Sequence, residues 1–190
     1  MIVSTEPFGL LAPGGPFTLA ELSAMRLDGV LAPVFADTFR PVNEPETAAL
    51  RAAALVYQVP PGLAGRAALG WLSAAWVYGC APPPPTITLL IGRDHRSTVL
   101  PSFSGCVLHE VLLDPFDVEQ LGGAFVTGAL RTAVDVALHV QAKQAVPVLL
   151  DIAATPGLNC PLGRVRGALA ASSHLPGKFR ALELLEYLTG

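Results

Sequence analysis

The chain has 190 residues, of which 52% are hydrophobic and only 14% charged, and its net charge is −3. That length suits one domain, or one domain with a small appendage, and can bury a core without disulfides or a structural metal. The mild acidity offers no global attraction to nucleic acid or to an anionic membrane.

The opening, MIVSTEPFGLLAPGGPF, has no basic stretch followed by a long apolar run. It does not read as a signal peptide, and a cytoplasmic protein is expected. Thr18 and Glu21 spell a T-x-x-E capping box, with Phe17 and Leu22 at the hydrophobic-staple positions. The helix they start runs to about Leu27 and stops at Asp28-Gly29. Val30–Phe35 and Thr38–Val42 follow as the short strands of a hairpin, and Pro33 and Pro41 confine both to sheet edges. Residues 1–42 are thus expected to form a helix-hairpin unit resembling part of a winged helix, and residues 43–190 an α+β domain.

Asn43-Glu44-Pro45-Glu46 signals the start of a second helix, with proline in the first turn. It runs to about Gln58 and is apolar on nearly every side, so it should be central. A further helix is expected from Leu63 to about Tyr78, broken near Gly70 and restarted with Ser73 as N-cap. The stretch 67–92 is uncharged, but the four prolines Pro82–Pro85 cut it before it reaches the ~20 apolar residues of a membrane span. Beyond them Thr86–Ile91, Ser97–Pro101 and Cys106–Leu113 read as strands, with Arg93-Asp94-His95-Arg96 as the turn of the first hairpin. Val118–Leu121 and Ala124–Val126 flank Gly122-Gly123, a two-residue hairpin signal. Thr127 is placed as the N-cap of a helix over GALRTAVDVALHV. Helices over Gln141–Ala154, Leu162–Ser172 and Lys178–Leu188 complete the chain. The fold class is α+β: an N-terminal helix and hairpin, a helical segment, and a small, mainly antiparallel sheet packed by C-terminal helices.

Chemical motifs are sparse. The 4 histidines, His95, His109, His139 and His174, are scattered and make no metal-ligand pattern, so neither metal nor cofactor is expected. The 3 cysteines, Cys80, Cys106 and Cys160, form no C-x-x-C pair and should be reduced, buried thiols. There is no Walker A loop, no G-x-G-x-x-G after a strand and no G-x-S-x-G elbow. A triad drawn from Ser102 or Ser104, His109 and Asp114 or Asp117 has nothing in the sequence to fix its geometry. Arg131 and Asp135 lie four apart on one helix, in an otherwise apolar run, and are expected with Thr127 to organise the sheet-to-helix junction. The helix and hairpin of residues 17–42 carry Arg26 and Arg40 against Glu21, Asp28 and Asp37, a net of −1. Those two arginines are the candidate DNA contacts, and specific binding should be weak. Arg164, Arg166, Lys178 and Arg180 form a modest basic face near the end of the chain, the candidate partner-binding residues. Phe179, Leu182, Leu184, Leu185 and Leu188 cover a broad face of the last helix, which could serve self-association.

Four runs carry a resemblance: SAAWVYG (73–79), the proline-rich link with TITLLI, GGAFVTGALRTAVDVA (122–137) and LDGVLAPVFADTFRPV (27–42). Together they look like the actinobacterial branch of the AbiEi-type antitoxins of abortive-infection, type IV toxin–antitoxin systems. The resemblance implies a winged-helix end, a helical A-A-W-x-x-G segment, a small sheet, a T-x-x-L-R-T-A-x-D helix and a helical tail. It also implies a non-catalytic transcriptional regulator that binds operator DNA and relieves a nucleotidyltransferase-like toxin. The other classes open to this sequence are an enzyme with a site assembled from dispersed residues, and a structural or oligomerisation module.

Overall fold

In the computed structural model, which describes residues 9–93, 99–173 and 175–189, Thr18 closes the first turn of helix α1 (Leu19–Leu27). Its hydroxyl accepts from the Glu21 N–H at 3.3 Å, and Glu21 accepts in turn from the Thr18 N–H at 2.7 Å. Both partners of the expected capping box are made. The hairpin follows as β1 (Leu31–Phe35) and β2 (Thr38–Pro41), antiparallel to each other and separate from the main sheet. Leu11, Leu22, Leu31 and Phe39 are buried together beneath α1, so this unit has a small core of its own.

Helix α2 (Ala48–Gln58) starts later than the Asn43 signal suggested. Thr47 is its N-cap, accepting from the Leu50 N–H at 3.1 Å. The residues before it turn around Arg40, whose guanidinium donates to the Glu44 carbonyl at 2.6 Å. Leu50, Ala52, Ala54 and Leu55 of α2 are fully buried, as its apolar sides require.

The largest departure from the sequence reading lies at 63–78. Ala68–Leu69 is a strand, β3, and the helix, α3, covers only Trp71–Val77. Gly70 is the break. A Cβ there would fall 2.6 Å from the side chain of buried Leu90, so only glycine lets the chain cross the sheet at this point. Ser73 is inside α3 rather than its cap, and its hydroxyl accepts from the Thr88 N–H at 2.9 Å.

Five strands form the main sheet in the order β5-β4-β3-β7-β6, with β4 over Ile87–Gly92, β5 over Cys106–Val111, β6 over Val118–Leu121 and β7 over Ala124–Thr127. The sheet is mixed: β3 pairs parallel with β7 and antiparallel with β4, while β4 runs parallel to β5 and β6 antiparallel to β7. The mainly antiparallel sheet expected from the sequence is therefore only half right. The turn expected at 93–96, for a hairpin of Thr86–Ile91 with Ser97–Pro101, lies mostly outside the described residues, and β4 is paired with β3 and, in parallel, with β5. The strand expected at Ser97–Pro101 falls partly outside them too, and its described part, 99–101, is not in a strand. The β6–β7 hairpin turns at Gly122-Gly123 as expected, both with positive φ.

Helices α4 (Ala129–His139), α5 (Ala142–Ala154), α6 (Leu162–Ala171) and α7 (Lys178–Thr189) pack into one apolar cluster around the buried inner face of α4. Gly128 is the N-cap of α4, not Thr127. Thr127 ends β7 instead, and its hydroxyl lies 2.7 Å from that of Thr132 in full burial. The broad leucine face of α7 is taken up largely inside the domain: Leu185 is fully buried, and Leu182, Leu184 and Leu188 pack against the same cluster. Among the described residues no single helix is long and apolar enough to cross a membrane.

Candidate functional site

One face of α4 repeats Arg131, Asp135 and His139 at intervals of four, so the three side chains rise in a single stripe. That stripe forms a wall of a cleft of about 930 Å³. Its other walls are the β5–β6 connection and α6, with Leu112, Phe116, Leu158 and Ala168 as apolar lining and Glu110 and Arg164 at the rim.

Arg131 is the hub. Its Nε lies 3.0 Å from both carboxylate oxygens of Asp135, and its Nη1 donates to Asp117 at 2.6 Å and to the Leu112 carbonyl at 3.0 Å. Asp117 belongs to a short 3-10 turn, Pro115–Asp117, capped by Asp114, and its carbonyl accepts from the Gly128 N–H. The fork therefore ties α4 to the turn that precedes β6. Asp135 is almost wholly buried, its side chain only 5% exposed. Burial pushes its carboxyl up to about 6, against the opposing pull of the Arg131 charge. Thr127, on the neighbouring strand end, bonds Thr132 and is not a cap. Beside it, the Tyr78 hydroxyl reaches Glu119 and the Thr127 carbonyl, and burial with the neighbouring carboxylate raises its pKa.

A second arrangement borders the cleft. Trp71 has a left-handed backbone, φ 52°, which in a non-glycine residue costs about 1–2 kcal/mol. Its indole is sandwiched between two imidazoles, His109 of β5 at 4.4 Å and His139 of α4 at 4.7 Å between ring centroids. Burial lowers the pKa of both histidines, and for His139 the nearby cationic groups His109, Arg131 and Arg180 lower it further. The spacing of Arg131 and Asp135 on one helix was readable, though the sequence reading leaves His139, one turn on, among the scattered histidines. The contributions of Trp71, His109 and Asp117 were not readable, because they arrive from other elements.

The remaining candidates are dispersed. His109 stacks on Trp71, Asp114 caps its own turn and Asp117 holds Arg131, while the Ser104 hydroxyl accepts from the Cys106 N–H at 3.4 Å. Among the described residues no hydrogen bond joins them as a triad. His95 and His174 lie outside the described residues, and among those described no cluster of metal-ligating side chains forms. Cys80, Cys106 and Cys160 are free thiols, and burial raises the pKa of each. Arg26 is exposed on α1. Arg40 is turned inward, its Nη1 on the Pro41 and Glu44 carbonyls and its Nε 3.9 Å from Glu46.

The basic face of the C-terminal helices is largely occupied by main-chain carbonyls. Lys178 donates to the carbonyls of Ala170 and Ser172 at 2.8 and 2.6 Å, closing the end of α6. Arg180 donates to the Leu138 carbonyl at the end of α4 at 2.5 Å, and Arg164 to the Asn159 carbonyl at 2.9 Å. These are favourable places for cations, since the last carbonyls of a helix carry partial negative charge. Arg166 is exposed on α6.

No protein-family model matches this chain, and no curated protein is similar enough to it to count as a relative.

Proposed function

We propose that the chain is a non-catalytic, antitoxin-like regulator that acts by binding a protein partner, a nucleotidyltransferase-like toxin, with operator DNA as a weaker target. What supports the reading is the order of parts. A helix and wing with a separate small core come first, then an A-A-W-containing helix, a small sheet, the L-R-T-A-x-D helix and a helical tail. That is the order the resemblance to the AbiEi-type antitoxins implies. The charged stripe of α4 is consistent with it: Arg131 is spent on Asp117, Asp135 and a main-chain carbonyl, which ties elements together. The reading is tested by placing the gene beside this one under an inducible promoter. Its product should arrest growth, and co-expression of this chain should restore it. Arrest that persists at equal expression of both proteins counts against the proposal.

The rival reading, an enzyme with a dispersed site, draws on one observation. The cleft beside α4 is lined by a carboxyl raised to about 6, next to an imidazole whose pKa burial lowers.

A further inference from the structure

The two edges of the main sheet are unlike. Strand β6 shows exposed Glu119 and Gln120, and β6 packs beside α2. Strand β5, at the other edge, is paired only with β4 among the described residues. It has no proline, no lysine and no bulge, three of the devices that keep an edge from pairing, and its one charged residue is the exposed Glu110. It is also bracketed by exposed apolar side chains: Val107 is 43% exposed within it, Phe103 fully exposed before it, and Leu112 and Phe116 are 74% and 97% exposed after it. An open ladder of main-chain donors and acceptors flanked by apolar side chains is a site for another strand.

Its residues say which strand. In an antiparallel pairing of β5 with a second β5 across a two-fold axis, directly opposite residues share a face, so the axis passes through a single residue. With the axis at His109, Val107 faces Val111 of the second copy, Leu108 faces Glu110, and Cys106 faces Leu112. Both apolar cross-strand pairs then occur twice, and no like charges meet at neutral pH. Moving the axis to Glu110 sets two carboxylates opposite each other. The bracket supports the same orientation. Antiparallel pairing brings Phe103 of one copy toward Leu112 and Phe116 of the other, at both ends of the joint strand.

We propose that β5 is the interface through which two copies of this chain associate, joining their sheets into one ten-stranded sheet centred on His109. Light scattering and sedimentation on the full chain at micromolar concentration test it. The wild type should be a dimer. Val107→Lys and Leu112→Lys, both at exposed positions, should each give a monomer with unchanged circular dichroism. Phe179→Ser, at an exposed apolar position on α7 far along the chain from β5, should remain dimeric. A monomeric wild type, or a dimer that survives Val107→Lys and Leu112→Lys, overturns the proposal. So does a dimer broken by Phe179→Ser, which would place the interface on α7.

Discussion

Arg131 holds Asp135 with its Nε 3.0 Å from each carboxylate oxygen, while the same guanidinium grips Asp117 from a turn outside the helix. An arginine preceding an aspartate by four residues gains little from the helix dipole. The pair therefore owes its place to burial and to the third partner. Removing one member of a buried ion pair typically costs ~3–5 kcal/mol, because the other charge is left alone. Here Asp117 still serves Arg131, so Asp135→Ala is expected to cost about 2–3 kcal/mol, a fall of roughly 5–10 °C in melting temperature. Arg131→Ala, which strands buried Asp135, is expected to cost more. Differential scanning calorimetry of the two variants checks both the size and the order.

Titration of the same region has two opposed components. Asp135 is raised to about 6 from 3.8, so the folded state holds that proton more tightly and the carboxyl's contribution to stability declines as pH rises through about 4 to 6. His109 and His139 are lowered from 6.5, so the unfolded chain takes their protons first, and stability is lost as pH falls below that value. The loss between pH 7 and 6 belongs to the histidines. A His109→Gln, His139→Gln double variant should show a smaller drop in melting temperature over that interval than the wild type. An equal drop in both proteins would remove the histidines as its cause.

The β6–β7 turn separates two effects of glycine. A Cβ on Gly122, φ 55°, would lie 1.9 Å from the Ala49 carbonyl oxygen of α2, whereas one on Gly123, φ 78°, meets nothing within 4 Å. Gly123→Ala should cost only the left-handed strain, about 1–2 kcal/mol. Gly122→Ala must also push α2 away from the hairpin, and is expected to cost several kcal/mol or to prevent folding. Urea titrations of the two variants should differ widely in midpoint.

Local signals were well placed in the sequence because they involve neighbours: the Thr18–Glu21 box, the Gly122-Gly123 turn and the pair Arg131, Asp135 on one helix. What could not be read depended on distant partners. Ala68–Leu69 looks like part of a helix begun at Leu63, and becomes a strand only because β4 and β7 are there to pair with it on both sides. Thr127 has the composition of a cap, but the buried hydroxyl of Thr132 draws it into the junction. The last helix looked amphipathic in the wrong way for a lone surface helix. Its leucines find their partners on α4, α5 and α6.

Binding of nucleic acid by the N-terminal unit should be weak. Its helix and hairpin carry a net charge of −1, and Arg40 is committed to main-chain carbonyls and Glu46. A gel shift with the chain's own upstream DNA at near-physiological salt should show no sequence-selective nanomolar complex. If some binding is seen, Arg26→Ala should lower the salt slope by about one, and Arg40→Ala should act on thermal stability instead.

The claim that this chain acts by binding and not by catalysis is tested most directly in the growth assay, with variants of the cleft. His139→Ala and Glu110→Ala change exposed positions at the cleft and leave the Arg131 fork in place. Purified and shown to be folded, both are expected to restore growth against the neighbouring gene's product as fully as the wild type. Loss of rescue by a folded His139→Ala or Glu110→Ala that still captures the neighbouring gene's product in a pull-down would contradict the claim and favour chemistry in the cleft.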